Sequence, residues 1–360
     1  MPKRVGYLYQ WMCDREHIRE AIRRGAKHKR KRSDVAKVLK NEDYYVEQLY
    51  AMLINRAFVP QIPRCSERYD TSSRKWREIE YVKFFPDGII HTLMVMAMSP
   101  VLMRGMYRWC CASIPGRGSG EARKYCRKVI DKDPKRTKYV LKLDIQRFYH
   151  SVDREILLRN LSRKIKDREF IDLVGRILET CKCGLAIGFY ICQWLANFYL
   201  EPLDRFIASF RGSTYMVRYM DDIVVFGSNK RFLHIIRSCV NRFIRSALRL
   251  RLKRNWQVFP LYARALDFVG YRFFINKTCL RRRNFLKLIR QARRIRKRMQ
   301  NNRVIKFHTA ASFISRIGLL KHCDQWSIKR NYLQEIDFSI IKEAIRYEVQ
   351  RICCTGCCAR

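Results

Sequence analysis

The sequence predicts an α+β fold, and three observations carry that prediction. An apolar, β-rich run, Tyr215–Phe226, holds two adjacent aspartates and reads as an antiparallel hairpin: strand 215–220, Asp221-Asp222 at the turn, strand 223–226. A second segment, Lys138 to Ile145, alternates with a period of two. Both ends of the chain instead show helical spacing of apolar residues, so helices and an antiparallel sheet share the molecule.

Residues 1–60 read as helical and very basic, with a charge run from Arg23 to Arg32. Tyr45, Leu49, Met52, Leu53 and Phe58 form an apolar stripe that stops before Pro60. Over 61–85 short strands are expected, because Arg77 to Phe84 alternates polar with apolar. A Met-rich helix follows from about 87 to 108, then a Gly-rich loop, Ile114 to Gly120. The strand ending at Asp144 places Tyr139, Leu141 and Leu143 on one face and Lys142 with Asp144 on the other. Ser151 and Asp153 are capping signals for a helix carrying Ile156, Leu157, Leu161 and Ile165. Past 280, Phe285, Leu288, Ala292, Ile295 and Met299 share one helical face while the rest of 281–298 is almost all Arg and Lys. No internal repeat or long linker appears.

Composition narrows the partners. Lys and Arg number 76 against 32 Asp and Glu, a net +44 over 360 residues. A chain this basic repels itself, so the excess points to a polyanion whose counterions are released on binding. A basic membrane-surface protein is the competing reading. With 48% hydrophobic and 12% aromatic residues, a disordered basic tail is excluded and a core for one large or two to three smaller subdomains is available. Fifteen cysteines suggest a disulfide framework, yet the charged start carries no secretory signal. The longest apolar stretch, Ile89 to Leu102, contains His91 and Pro100 and is too short to span a bilayer. Reduced thiols, a cytoplasmic location and no membrane are therefore expected.

Two adjacent aspartates between strands sacrifice β-propensity and crowd like charges. That cost makes sense if divalent cations sit among them, and a third, strand-borne carboxylate at Asp144 completes the pattern of a two-metal phosphoryl-transfer site. A strand-end cap is what Asp144 would be without the hairpin.

At this point the chain resembles reverse transcriptases, from about residue 70 to residue 335. In order, the matching blocks are Arg77-Glu78-Ile79 with Phe85 to His91, Pro115 to Gly120, the strand at Asp144, Gly184 to Gln193, the Asp221-Asp222 hairpin, and Leu266 to Tyr271. Retroviral and group II intron enzymes commonly show Gln-Gly and then Ser-Pro in the fourth block. This chain has Ile187-Gly188 and then Cys192-Gln193, similar to the Ile-Gly…Ser-Gln form of reverse transcriptases from diversity-generating retroelements. Trp194 to Leu200, Asn255 to Pro260 and Gly318 to Cys323 resemble that group too. Two departures stand out: Cys192 replaces the usual Ser, and Gly88 stands where Arg often follows the Asp.

The resemblance implies a right-hand polymerase fold with fingers, antiparallel-sheet palm and helical thumb. It divides the chain into a basic helical extension (1–60), fingers and palm (61–275), a basic thumb (276–345) and a Cys-rich tail (346–360). It implies copying of template RNA into cDNA from a primer and dNTPs, error-prone at template adenines, in a bacterial or phage-infected cell. A small basic oligomeric accessory protein is the expected partner. Asp144, Asp221 and Asp222, with the backbone carbonyl of Ile145, would hold two Mg²⁺, with Mn²⁺ able to substitute. Arg77, and second Lys75, would clamp the triphosphate, a guanidinium gripping phosphate oxygens bidentately; either is otherwise an exposed strand charge. Tyr149 resembles the aromatic that excludes a 2′-hydroxyl, and otherwise is an interior ring. Ile187, Gly188 and Gln193 would line the nucleotide, with Gly184 and Gly188 letting backbone approach the nascent base pair. Lys253 is the nearest candidate general acid for pyrophosphate, with a solvated strand charge as its alternative. Arg117, Arg293, Arg294, Arg296 and Lys297 would contact nucleic acid. A defence-associated or retron-like enzyme, or a catalytically inert basic RNA-binding protein, are the rival functions. The tail, Cys353-Cys354 to Cys357-Cys358, is read as unstructured or redox-sensitive rather than as a zinc site.

Overall fold

The computed structural model describes residues 4–70, 75–210 and 214–357, with side chains throughout except at 348, 349 and 351–357. Two compact units result: residues 4–122 with 141–258, and residues 123–140 with 259 onward.

The first unit begins with helices Leu8–Met12, Arg15–Ala26, Ser33–Lys40 and Glu42–Ile54. The second starts where the Asp14 carboxylate accepts from the His17 amide, and it buries Ile18, Ala21, Ile22 and Ala26 at intervals of three and four. It packs on helix Ile89–Met103. The basic N-terminal stretch is thus built into this unit rather than standing apart as an extension. The longer helical segment Phe84–Met103, which takes in the stretch Ile89–Leu102, is long and apolar enough to cross a membrane by length and composition alone, but most of it is buried in the protein, as a core helix.

Strands β1 (Arg64–Asp70) and β2 (Lys75–Tyr81) pair antiparallel from Arg64↔Tyr81 to Asp70↔Lys75, as the alternation anticipates. The main sheet has the order β4-β5-β3-β6, with β3 Tyr139–Asp144, β4 Thr214–Tyr219, β5 Asp222–Gly227 and β6 Gln257–Pro260. Strand β3 alternates only toward its end. Val140 is as fully buried as Leu141 and Leu143, leaving Lys142 and Asp144 as its half-exposed pair. Helices Arg154–Ser162, Arg168–Glu179, Tyr190–Tyr199, Glu201–Ala208 and Lys230–Leu248 complete the unit. Asp153 caps the first of these by accepting from the Ile156 amide, whereas Ser151 closes a short turn before it.

The hairpin differs from the reading in one respect. Tyr219 pairs with Asp222, so the two-residue turn is Met220-Asp221 and Asp222 is the first residue of β5. Met220, at φ 54°, takes the left-handed conformation the turn needs.

In the second unit, strands β7 (Leu266–Phe268), β8 (Tyr271–Phe273) and β9 (Thr278–Leu280) form an antiparallel meander. Helix Arg282–Gln300 buries Leu288, Ile289, Ala292 and Ile295, close to the stripe expected. Helices Phe307–Leu320 and Phe338–Cys357 pack together. The division after 258 groups the meander with these helices, where the sequence suggests a boundary near 275. The tail is not unstructured: helix continues to Cys357. Its cysteine side chains, and Cys358 altogether, lie outside the described residues.

Candidate functional site

Asp144 ends β3, and Asp222 opens the neighbouring strand β5. Asp221, in the turn just before, meets them, so a carboxylate on β3 and an adjacent pair far along the chain share one corner. Burial, and next the charge of Asp144, push the Asp221 carboxyl up to about 6. Two lysines offset the crowding. Lys253 Nζ donates to Asp144 Oδ2 at 2.6 Å, and Lys142 Nζ lies 3.4 Å from Asp222 Oδ2. Lys142 shares its strand face with Asp144, which the period of two requires. Lys253 arrives because residues 251–253 pair with 144–146: its amide donates to the Asp144 carbonyl at 2.8 Å, and Gln146 donates to Arg251 at 2.9 Å. In that pattern the Ile145 carbonyl is turned to the opposite edge of its strand. Asp144 Oδ1 is buried with no hydrogen-bond donor. Among the described residues, no group of three His, Cys, Asp or Glu side chains closes into a ready-made metal cage.

Tyr149 reaches the same corner. Its hydroxyl donates to Met220 Sδ at 3.7 Å, and burial pushes its pKa up, keeping the phenol neutral. The backbone beneath it is locked: the Tyr149 carbonyl accepts from Leu185 N at 2.8 Å. Gly184, at φ +47°, lies so close that a Cβ would sit 2.3 Å from that carbonyl.

The glycines make close backbone contacts that sequence spacing does not show. A Cβ on Gly188, at φ +129°, would meet the Glu80 carbonyl at 2.2 Å. Both missing side chains make room for the protein's own backbone. Ile187 is half-exposed in a turn, so it is no core strand residue, and its carbonyl accepts from Glu80 N at 3.1 Å. Lys182 reinforces the join, its amide donating to Glu80 and its ammonium to Glu78. The β1–β2 hairpin is thus pinned to the 182–188 loop, a connection that sequence spacing does not reveal. Gln193, half-buried, lines a cavity of about 530 Å³ with Gly188, Tyr190 and the basic residues Lys27, Lys29 and Arg32.

The phosphate candidates are less converged. Arg77 is exposed on β2 and pairs with Asp70 at 3.1 Å, while Lys75 is exposed at the start of that strand. Among the described residues, no hydrogen bond or ion pair ties either to the carboxylate corner. Arg117 turns inward, donating to the carbonyls of Tyr107 and Cys110. On the basic helix, Arg296 pairs with Glu335 and Arg293 lies over the Tyr332 ring. Arg294 and Lys297 are exposed. Sequence reasoning missed Arg218, and it placed Lys142 on the face of Asp144 without giving it a role. An arginine inside an otherwise apolar strand was the available signal for the first.

None of the curated proteins matches. Solved telomerases are similar at a low level: that of Candida albicans in complex with a telomeric RNA fragment (TM-score 0.44, 12% identity, 59% of this chain and 44% of that one). Apo telomerase of Candida tropicalis gives 0.45 and 12%, over 64% and 52%. The chain spans about half the length of these structures, and at such scores the likeness carries no functional argument. The sequence model described as reverse transcriptase (RNA-dependent DNA polymerase) matches residues 86–273, more than half of the chain and inclusive of all three carboxylates. The chain belongs to the reverse transcriptase family.

Proposed function

We propose that the protein is an RNA-directed DNA polymerase whose reaction centre is the corner of Asp144, Asp221 and Asp222. The carrying observation is the convergence of three carboxylates with an orphaned buried oxygen, Asp144 Oδ1, and one carboxyl pushed up to about 6. Such a corner is short of positive charge, and its all-oxygen donor set suits Mg²⁺. Asp144, Asp221 and Asp222 would hold it, with the Ile145 carbonyl as a backbone donor. When bound, the metal lowers the pKa of a primer 3′-hydroxyl and stabilises the pyrophosphate leaving group. Lys142 and Lys253 balance the carboxylates in its absence. Lys253, 38% exposed and paired with Asp144, would give a proton to departing pyrophosphate. Tyr149, whose hydroxyl meets Met220 in the turn, would be the aromatic that excludes a 2′-hydroxyl. The net +44 supports template RNA as the polyanion bound.

The finer reading is a diversity-generating retroelement enzyme, error-prone at template adenines and served by a small basic accessory protein. Ile187-Gly188 and Cys192-Gln193 support it, and the half-exposed Ile187 leaves its side chain available to a ligand. Primer extension on RNA tests the activity. Asp144→Ala and Asp221→Ala should each abolish synthesis while leaving RNA binding nearly intact, because affinity comes from the Lys and Arg surface. Substantial synthesis by either variant would overturn the assignment.

A further inference from the structure

Behind the Met220-Asp221 turn lies a buried polar network that neither phosphate nor metal would touch. Arg218 is 0% exposed and Asp204 1%. The guanidinium spends all five of its donors. Nε and Nη2 grip the two Asp204 oxygens at 2.6 Å each. Nη2 also reaches the Asn197 carbonyl at 3.3 Å, and Nη1 the Asn197 Oδ1 at 3.2 Å. The fifth bond, from Nη1, goes to the Met220 carbonyl at 3.0 Å. An arginine so saturated has one orientation.

Its anchors are equally fixed. Asn197 and Asp204 sit on helices Tyr190–Tyr199 and Glu201–Ala208, and Asn197 Nδ2 donates to the Ala112 carbonyl at 2.8 Å. The Arg218 backbone is held on the outer side of β4, donating to Trp109 and accepting from Cys111. Met220, by contrast, is a non-glycine residue at φ 54°, a conformation that persists only where its surroundings impose it. Its carbonyl is the group joined to the Asp221 amide.

We propose that Arg218 is a positioning residue: braced on Asp204 and Asn197, it fixes the Met220 carbonyl and thereby the placement of the Asp221 carboxylate opposite Asp144. This rests on the reading of that corner as the reaction centre. Arg218→Lys offers three donors from a single atom and cannot span Asp204 and Met220 together. The pair Arg218→Met with Asp204→Leu keeps the volume apolar, and replacing a buried ion pair in this way commonly preserves folding. Both variants lose the clamp.

The test measures primer extension, amide hydrogen exchange over 219–223 and Mn²⁺ binding by titration on the full chain, with circular dichroism to confirm folding. Each folded variant should lose about a hundredfold in kcat with KM for primer–template nearly unchanged, since a misplacement near 1 Å costs on that order. Exchange should quicken at the hairpin tip alone, and Mn²⁺ should bind more weakly. A folded variant with kcat within about threefold of wild type, or with the loss confined to KM, overturns the proposal. So does failure of both variants to fold, which would make the network a folding element only. If wild-type protein does not extend a primer, the polymerase reading fails, and unchanged exchange and Mn²⁺ binding would separately refute the clamp.

Discussion

Gly184→Ala is expected to damage the site through backbone displacement rather than through any lost contact. The new Cβ would lie 2.3 Å from the Tyr149 carbonyl and 2.8 Å from the carbonyl carbon and oxygen of His150. Cβ atoms do not approach within 3.0 Å of such neighbours, so the 149–150 backbone must retreat by at least ~0.7 Å. The left-handed φ of +47° adds about 1–2 kcal/mol for a residue with a Cβ, and the forced shift about 1–3 kcal/mol more. Tyr149 moves with that backbone, and its hydroxyl leaves Met220. Chemical denaturation should therefore show a loss of about 2–5 kcal/mol, and single-nucleotide extension should show weakened preference for dNTP over rNTP. Gly175→Ala is the control: its nearest neighbour is Leu158 Cδ1 at 3.7 Å, an ordinary contact inside a helix, so stability should hold or rise. Unchanged stability and unchanged sugar discrimination in Gly184→Ala would refute the reasoning.

Three other perturbations follow from the same geometry. His91 is 2% exposed against Phe189, and burial pushes its pKa down to about 4. The unfolded chain then takes up a proton that the folded one refuses, so stability is fully present above about pH 6.5 and falls as pH drops toward 4, by about 2 kcal/mol at pH 5. His91→Leu should remove that increment, read as a smaller difference between denaturation midpoints at pH 7.5 and pH 5; an identical pH dependence would show that His91 is not the titrating group. On the basic helix, Arg294→Gln with Lys297→Gln should flatten the dependence of log RNA affinity on log salt by about two, whereas Arg296→Gln, already paired with Glu335, should change it less. Ile187→Gln should lower misincorporation opposite template adenine, since a polar side chain there can hold the nucleotide in register where Ile offers only van der Waals contact. Sequencing cDNA from one adenine-rich RNA checks this, and equal error from both proteins would count against it.

The hairpin, the strand before it and the amphipathic basic helix were legible because each is written locally. The apolar, β-rich run of 215–226, the apolar spacing from Leu288 to Ile295 and the Asp153 cap depend on residues within a few positions of one another. The convergence of the three carboxylates was legible for another reason: adjacent like charges are costly enough that Asp221-Asp222 between strands stands out by residue type alone. Even there the register was one residue off, because nothing in Tyr219-Met220-Asp221-Asp222 signals that Met accepts the left-handed position.

What stayed hidden consists of partners distant in sequence and of backbone meeting backbone. Gly188 was correctly singled out as a place where a Cβ would clash, but the clashing atom belongs to Glu80, more than a hundred positions away. A glycine in a sequence declares the absence of a side chain and is silent on what fills the space. Arg218 shows the converse. Its charge in an apolar strand declares a partner without naming it, and Asp204 and Asn197 look like helix residues of no special standing until the two helices are packed beneath β4. The lysines complete the pattern. Lys142 is fixed by strand period and could have been read from Asp144, whereas Lys253 depends on the pairing of 251–253 with 144–146 and becomes certain only when that register is seen. Reaction chemistry selects residue types that sequence displays; the devices that hold those residues in place are selected for fit, and fit is a property of the folded chain.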